Sequence, residues 1–330
     1  MKRCAHIIFN VVAGNRRAHD ARREVEAWVR TLGESGIRGR LTTVPGGGVA
    51  PAVQEAVDGR PDLIVVAGGD GTIATAAGVL VRAAAERGND VPPLAILPTG
   101  TRNHFARDLG IPDLETAARV IATGHVVRVD LAAANDRIFI NNASLGVYPR
   151  LVEDRTRREE RVAHGRAGRL LRALLTIRSA AAILPGLRLI RVDLDLDGRP
   201  VHARTPFVFI GNNPYEARLL AAPHRPRLDR GLLEVVVARE ARARVLVELA
   251  IRSAFGRLYQ ADEVESRPAR TARLTRPGWH RFPLALDGEV VEVLNPVSFR
   301  VLRGALRILA PPPEWGETVA APDSAPAPPS

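Results

Sequence analysis

The chain contains a single cysteine, Cys4, among its 330 residues. That excludes an internal disulfide and a cysteine-built zinc cage. Lysine is nearly absent too: of 47 Lys and Arg residues only Lys2 is lysine. No lysine-dependent phosphate clamp is therefore available within the core, and positive charge on an anionic ligand must come from arginine, a metal ion or backbone dipoles. Aromatic residues make up 4% of the sequence, leaving few platforms on which bases could stack. No nucleic-acid partner is expected, despite a formal net charge of +11. The same charge suits phosphorylated ligands or an anionic membrane surface. No apolar run is long enough to span a bilayer. The opening Met1-Lys2-Arg3-Cys4 leads straight into a strand, so a cytoplasmic protein is expected.

What is present is a change of rhythm. Up to about residue 130, short apolar runs alternate with helical spacing. Strands are expected at 5–9, 39–43, 62–67 and 94–97, and helices at 19–34, 50–57, 73–87 and 113–123. This βαβα order predicts an open parallel sheet with ligand at the carboxyl ends of its strands. Beyond residue 130 the apolar residues alternate singly, at 137–143, 188–196, 201–210, 232–238, 271–275, 282–287, 290–293 and 297–302. Asp197-Gly198 and Asp287-Gly288 stand where two-residue hairpin turns belong. The expected organisation is an α/β domain over 1–130, rejoined by about 303–310, and an antiparallel β domain over 131–302. A disordered Pro/Ala-rich tail is expected over 311–330. Residues 153–184 read as a basic amphipathic helix or helix pair, suited either to anionic lipid or to packing on the β domain.

The most informative stretch is Val65-Val-Ala-Gly-Gly-Asp-Gly-Thr72. A buried strand runs into glycines that let backbone N–H groups approach a bulky anion, and a helix N-terminus follows with a field that favours phosphate. Asp70 repels phosphate unless a cation or a proton lies between them, which points to metal-assisted phosphoryl chemistry. The competing reading is a glycine turn with an Asp or Thr72 helix cap. Neither a P-loop ending nor an early G-x-G-x-x-G is present. A second loop, Leu97-Pro-Thr-Gly-Thr-Arg-Asn-His104, follows the next strand and would flank the same crevice. Asp193-Leu-Asp-Leu-Asp-Gly198 opens like a calcium loop but has Arg204 where the bidentate acid is required. His202, His224 and His280 show no metal-ligand spacing.

These pieces resemble the diacylglycerol kinase catalytic-domain family, which includes bacterial lipid kinases and is related to sphingosine kinases. The matching segments are Gly68–Thr72, Pro98–Arg107, Asp130, Asn142–Gly146 and Asp287-Gly-Glu289, in order over roughly residues 5–310. The resemblance implies a phosphofructokinase-like nucleotide domain joined to an antiparallel β-sandwich. It implies transfer of the γ-phosphoryl group of ATP, with Mg²⁺, to the hydroxyl of diacylglycerol or a related lipid, by a cytoplasmic enzyme peripheral to the membrane. ATP contacts are implied for Asn10, Gly14, Thr42, Gly68, Gly69, Asp70, Gly71, Thr72, Gly100, Thr101 and Asn103. Asp70 and Asp130 would hold Mg²⁺ and its waters, and Asp287 and Glu289 would supply the base for the lipid hydroxyl. Phosphoryl transfer asks for positioning, charge neutralisation and a proton acceptor, which this set provides. A soluble NAD-kinase-like activity shares Gly-Gly-Asp-Gly, and a catalytically weak nucleotide- or lipid-binding protein is the third reading. Edge strands of the sandwich would permit a homodimer.

The chain departs from the family pattern at three places. Val11 follows Asn10 where proline is usual, and His104 stands where Asp is common. Arg230 occupies the second acid of an Asp/Asn-Asp-Gly segment that supports a structural Mg²⁺ in relatives, so no structural metal is expected at 228–231.

Overall fold

A computed structural model describes residues 3–11, 23, 25–30, 36–146, 189–216, 224–238 and 264–315. Gly14 and the whole of 153–184 lie outside the described residues. The chain divides into two units. The first comprises residues 1–131, 226–231 and 302–330, the second 132–225 and 232–301.

In the first unit, strands β1 (Arg3–Asn10), β2 (Ile37–Val44), β3 (Leu63–Gly68) and β4 (Leu94–Pro98) form a parallel sheet in the order β2-β1-β3-β4. Every residue of β3 and β4 is buried, which is why they appear in the sequence as unbroken apolar runs. Helix α1 (Val49–Asp58) buries Val49, Ala52, Val53, Ala56 and Val57, one stripe at helical spacing. Helix α2 spans Asp70–Arg87, α3 spans His104–Asp108 and α4 spans Leu114–Thr123. Asp113 caps α4, its carboxylate accepting from the Thr116 N–H at 2.8 Å. That bond holds the Asp113 carboxyl below its ordinary range. Strand β5 (His125–Ala134) follows.

The second unit is a β-sandwich. One layer has the order β12-β11-β10-β7-β14-β15, each neighbouring pair antiparallel. Its strands are β7 (Asn142–Gly146), β10 (Phe207–Asn212), β11 (Leu233–Ala238), β12 (Val264–Ala269), β14 (Arg281–Leu286) and β15 (Glu289–Leu294). The other layer contains β8 (Ile190–Leu196), β9 (Arg199–Thr205), β13 (Thr271–Thr275) and the first part of β16 (Val297–Ala310), while β6 (Arg137–Phe139) pairs with β5. Inward residues of both layers, among them Val192, Leu194, Val235, Val237, Phe282, Leu284 and Phe299, make one core. The end of β16 returns to the first unit, where Ile308 pairs with Leu94 in parallel.

Both expected Asp-Gly hairpins are present and share one geometry. Asp197 and Gly198 have φ of 51° and 82°, Asp287 and Gly288 of 49° and 89°, the positive pair that a tight two-residue turn requires. Other boundaries moved. The expected 201–210 strand breaks at Pro206 into β9 and β10, because the chain changes layers there. β12 escaped notice because Glu265, Arg267 and Pro268 hide its pattern; it is an edge strand, where Pro is tolerated. The segment expected to be disordered from residue 311 is ordered through Trp315, whose ring lies 4.1 Å beneath the Arg119 guanidinium; its remainder lies outside the described residues.

Candidate active site

The first cluster is built where β3 and β4 end. Helix α2 begins at Asp70, not at residue 73, with Gly69 as an extended N-cap; the Ile73 N–H donates to the Gly69 carbonyl at 3.1 Å. Gly-Asp-Gly-Thr is thus the first turn of a helix, with its amides at the positive end of the helix dipole. Neither Asp70 nor Thr72 caps it, since no side-chain cap bond forms. The loop glycines are required by close approach. A Cβ on Gly68 would lie 2.5 Å from that of Thr72, and a Cβ on Gly100 would lie 2.4 Å from the Gly69 Cα. The two loops therefore meet backbone to backbone. A Cβ on Gly71, by contrast, would meet nothing within 4 Å, so the space beside this helix turn is open.

Asp70 is held by the second loop. Its Oδ2 accepts from the His104 N–H and its Oδ1 from the Phe105 N–H, each at 3.0 Å. These are the first amides of α3, so this short helix orients the carboxylate. His104 contributes a backbone amide here, which any residue would supply. Asn103, left-handed at φ 50°, donates through Nδ2 to the carbonyls of Pro98 (3.0 Å) and Gly100 (2.8 Å) and so shapes that loop. Asn10, at the end of β1, donates to the Thr72 hydroxyl at 2.8 Å. The Oδ1 atoms of Asn10 and Asn103 are buried and have no partner among the described residues. Buried acceptors left in this way suit a ligand or water with donors to give. Thr42 is engaged otherwise: its hydroxyl is 2.8 Å from His6 Nε2. Burial, reinforced by Arg40, holds that imidazole below its ordinary pKa. Thr101 is exposed.

Asp130 is buried, 2% exposed, and each of its oxygens accepts a backbone amide, from Gly304 at 2.8 Å and Gly231 at 2.6 Å. Asp70 and Asp130 are thus each held by their own pair of amides. Among the described residues no group of three or more His, Cys, Asp or Glu is placed to hold a metal ion. A lone carboxylate held as Asp70 is held is the kind of ligand that Mg²⁺ takes together with substrate phosphates. In the 228–231 loop the Asp229 carboxylate is gripped by Arg227, through Nε at 2.8 Å and Nη2 at 2.5 Å. A guanidinium that pairs with this acid is therefore Arg227's. With Asp229 already neutralised, excess chelator is expected to leave the melting temperature unchanged. A lowered melting temperature in EDTA, restored by Mg²⁺, would contradict this.

The second cluster lies in the sandwich, at the tip of the β14–β15 hairpin. Asp287 closes the turn, and its side chain reaches back to residues 140–142. Oδ2 accepts from the Ile140 N–H at 2.9 Å, and Oδ1 from the Asn141 and Asn142 N–H groups at 2.7 and 3.1 Å. Two residues on, Glu289 is exposed. The hairpin thus divides its two acids: one is committed to the backbone, the other is presented to solvent.

The same 140–142 segment is gripped from its carbonyl side by Arg225, the largest fully buried side chain described. Nη1 donates to the Ile140 carbonyl at 2.6 Å and the Asn212 carbonyl at 3.1 Å, and Nη2 to Asn141 Oδ1 at 2.6 Å. Tyr215 adds a bond to the Asn141 carbonyl at 3.1 Å. Sequence reasoning missed Arg225 because one buried arginine has no signature in an arginine-rich chain. Nearby Glu234, 5% exposed, accepts from the Tyr215 N–H at 2.8 Å and the Ser266 hydroxyl at 2.9 Å. Burial still pushes its carboxyl above the ordinary glutamate range, against those two bonds. The folded state then holds this proton to higher pH than the unfolded chain. Glu234 therefore contributes stability below the unfolded pKa that is lost as pH rises through the folded one. Glu234→Gln is expected to melt relatively higher at pH 8 than at pH 5 when compared with the parent. An equal difference at both pH values would refute the assignment.

The segment 4–134 matches the family model described as the diacylglycerol kinase catalytic domain, and 160–310 matches that of the YegS C-terminal NAD kinase beta sandwich-like domain. A curated diacylglycerol kinase of Mycobacterium tuberculosis is 31% identical over 259 residues, covering 76% of this chain and 77% of that protein. One from Staphylococcus carnosus is 24% identical over 312 residues, covering 94% and 96%. A crystal structure of a diacylglycerol kinase from Bacillus anthracis superposes with a TM-score of 0.67 at 20% identity, covering 94% of this chain and 98% of that one. Among the described residues no helix is long and apolar enough to cross a membrane.

Proposed function

The chain belongs to the diacylglycerol kinase family, and from that premise we propose that it transfers the γ-phosphoryl group of ATP to the hydroxyl of diacylglycerol or a related lipid at a membrane surface. The observation that carries the reading is Asp70 itself. It is a carboxylate in the first turn of a helix whose free amides attract phosphate, and it is fixed from behind by two further amides. A carboxylate so placed works against phosphate binding unless a divalent cation joins the two. Asp70 is the residue that would hold Mg²⁺ here; when bound, the ion would neutralise charge on the transferred group. The amides of the α2 N-terminus and the open space beside Gly71 would receive phosphate oxygens. The unpartnered Oδ1 atoms of Asn10 and Asn103 would accept hydrogen bonds from the nucleotide or its waters.

At the acceptor end, Glu289 takes the proton from the lipid hydroxyl as that oxygen attacks the γ-phosphorus, and ADP departs with the bridging oxygen. Asp287 keeps the hairpin tip in place for this and holds no proton of the reaction. The test is transfer of labelled γ-phosphate from ATP with Mg²⁺ into a mixed lipid extract in detergent micelles. A labelled lipid is expected, and its chromatography names the acceptor. Label appearing in soluble NAD and in no lipid would overturn the reading.

A further inference from the structure

Among the described residues five large hydrophobic side chains are exposed, and three of them, Trp279 (50%), Val290 (56%) and Leu294 (52%), lie on the β14–β15 hairpin and the turn that enters it. Single exposed apolar residues are ordinary; three on one short element are not. The hairpin's inward residues, Phe282, Leu284, Leu286 and Val293, fill the core of the sandwich. Its exposed outward residues are Arg281 and Pro283 on β14, opposite Leu294 and Glu292 on β15, with Val290 beyond them opposite the buried Ala285. They therefore run from the Trp279 turn to the residue beside Glu289.

The turn is built, not loose. Asn295 accepts from the Arg276 N–H at 3.0 Å and donates to the carbonyls of Arg276 (2.7 Å) and Trp279 (2.5 Å). The Arg276 guanidinium lies 3.8 Å over the indole. A rigid turn thus displays an indole flanked by Arg276, His280 and Arg281. Indole rings favour the boundary between lipid and water, and guanidinium groups favour the phosphates found there. We propose that the outer face of this hairpin, with its Trp279 turn, is the surface that rests on an anionic lipid bilayer, so that Glu289 is delivered at the depth of the lipid headgroups. The inference rests on the lipid-kinase reading for its purpose but not for its test. A second copy of the chain is the other candidate for this face. Pairing two β15 edges would crowd Glu289 and Glu292 of both copies into one short span, as edge charges do to block such pairing.

The test is co-sedimentation of the full chain with phosphatidylcholine vesicles, with and without phosphatidylglycerol, in the absence of ATP and diacylglycerol. The parent is expected to bind the anionic vesicles. Trp279→Ala with Leu294→Ser is expected to weaken partitioning about tenfold or more. Arg276→Gln with Arg281→Gln is expected to weaken it roughly fivefold per arginine and to flatten its dependence on phosphatidylglycerol and salt. Trp315→Ala, an exposed indole elsewhere, is expected to change nothing. Unchanged binding by both double variants would overturn the proposal. So would a dimer in solution that the Trp279/Leu294 variant dissociates, which assigns the face to a second copy. Binding that depends on this face in a chain that phosphorylates no lipid would uphold the surface and refute the lipid-kinase assignment alone.

Discussion

Asp70→Asn is expected to lower phosphoryl transfer about a thousandfold or more, the scale on which a divalent cation stabilises transition-state charge. Asparagine retains one acceptor oxygen for the α3 amides but carries no charge, so the loss should exceed anything explained by unfolding. Asp70→Ala differs in an informative way. It removes the acceptor for both the His104 and the Phe105 N–H groups. Leaving such donors unmet costs about 1–3 kcal/mol each where they are buried, and less where water reaches them. Initial rates and melting temperatures of the two variants separate the roles: similar rate losses, with the melting temperature lowered in both, by one lost acceptor in asparagine and by two in alanine. An Asp70→Asn enzyme within tenfold of the parent would remove Asp70 from the chemistry.

The second large effect divides the two acids of the hairpin tip. Glu289→Gln is expected to lower kcat by about 10²–10⁴, the usual contribution of a general base, with the KM for ATP unchanged. Because Glu289 is exposed, the melting temperature should not move. Asp287→Asn should show the opposite balance. Its carboxylate satisfies three backbone amides, so the amide substitute sets an NH₂ against an N–H and lowers the melting temperature. Steady-state kinetics and thermal melts of the pair decide the matter. A Glu289→Gln enzyme of near-parental kcat would return the proton to another acceptor.

Much of the architecture was legible because the physics that forms it is local. Runs buried on both faces, as in β3 and β4, have no alternative to the centre of a parallel sheet, and Asp-Gly between alternating strands has few alternatives to a tight hairpin. What escaped depended on contacts distant in sequence. Gly-Asp-Gly is a poor helix sequence, so α2 was expected to begin after it. The turn is helical because Gly68 lets Thr72 fold back and the second loop presses on Gly69. The five-residue α3 carries too few apolar residues to show a period, yet its amides position Asp70. Arg225 and Asp130 are charged residues satisfied by carbonyls and amides from remote segments. Their burial cannot be read from their neighbours in the chain. For the candidate site, then, the residue types were visible in sequence, while the backbone groups that aim them were not.

The two Asp-Gly hairpins have a wider consequence. Leu196-Asp-Gly-Arg199 and Leu286-Asp-Gly-Glu289 fold alike, and each aspartate spends its carboxylate on amides of another segment, Arg270 and Thr271 in one case and residues 140–142 in the other. One tip ends in arginine and the other in the acid proposed to act on the lipid. On that proposal the second is a structural turn with a reactive group added at an exposed position. Folding selection therefore protects the turn but is blind to residue 289. A lineage could lose or regain this activity by one substitution there, and its stability would keep no record of the change.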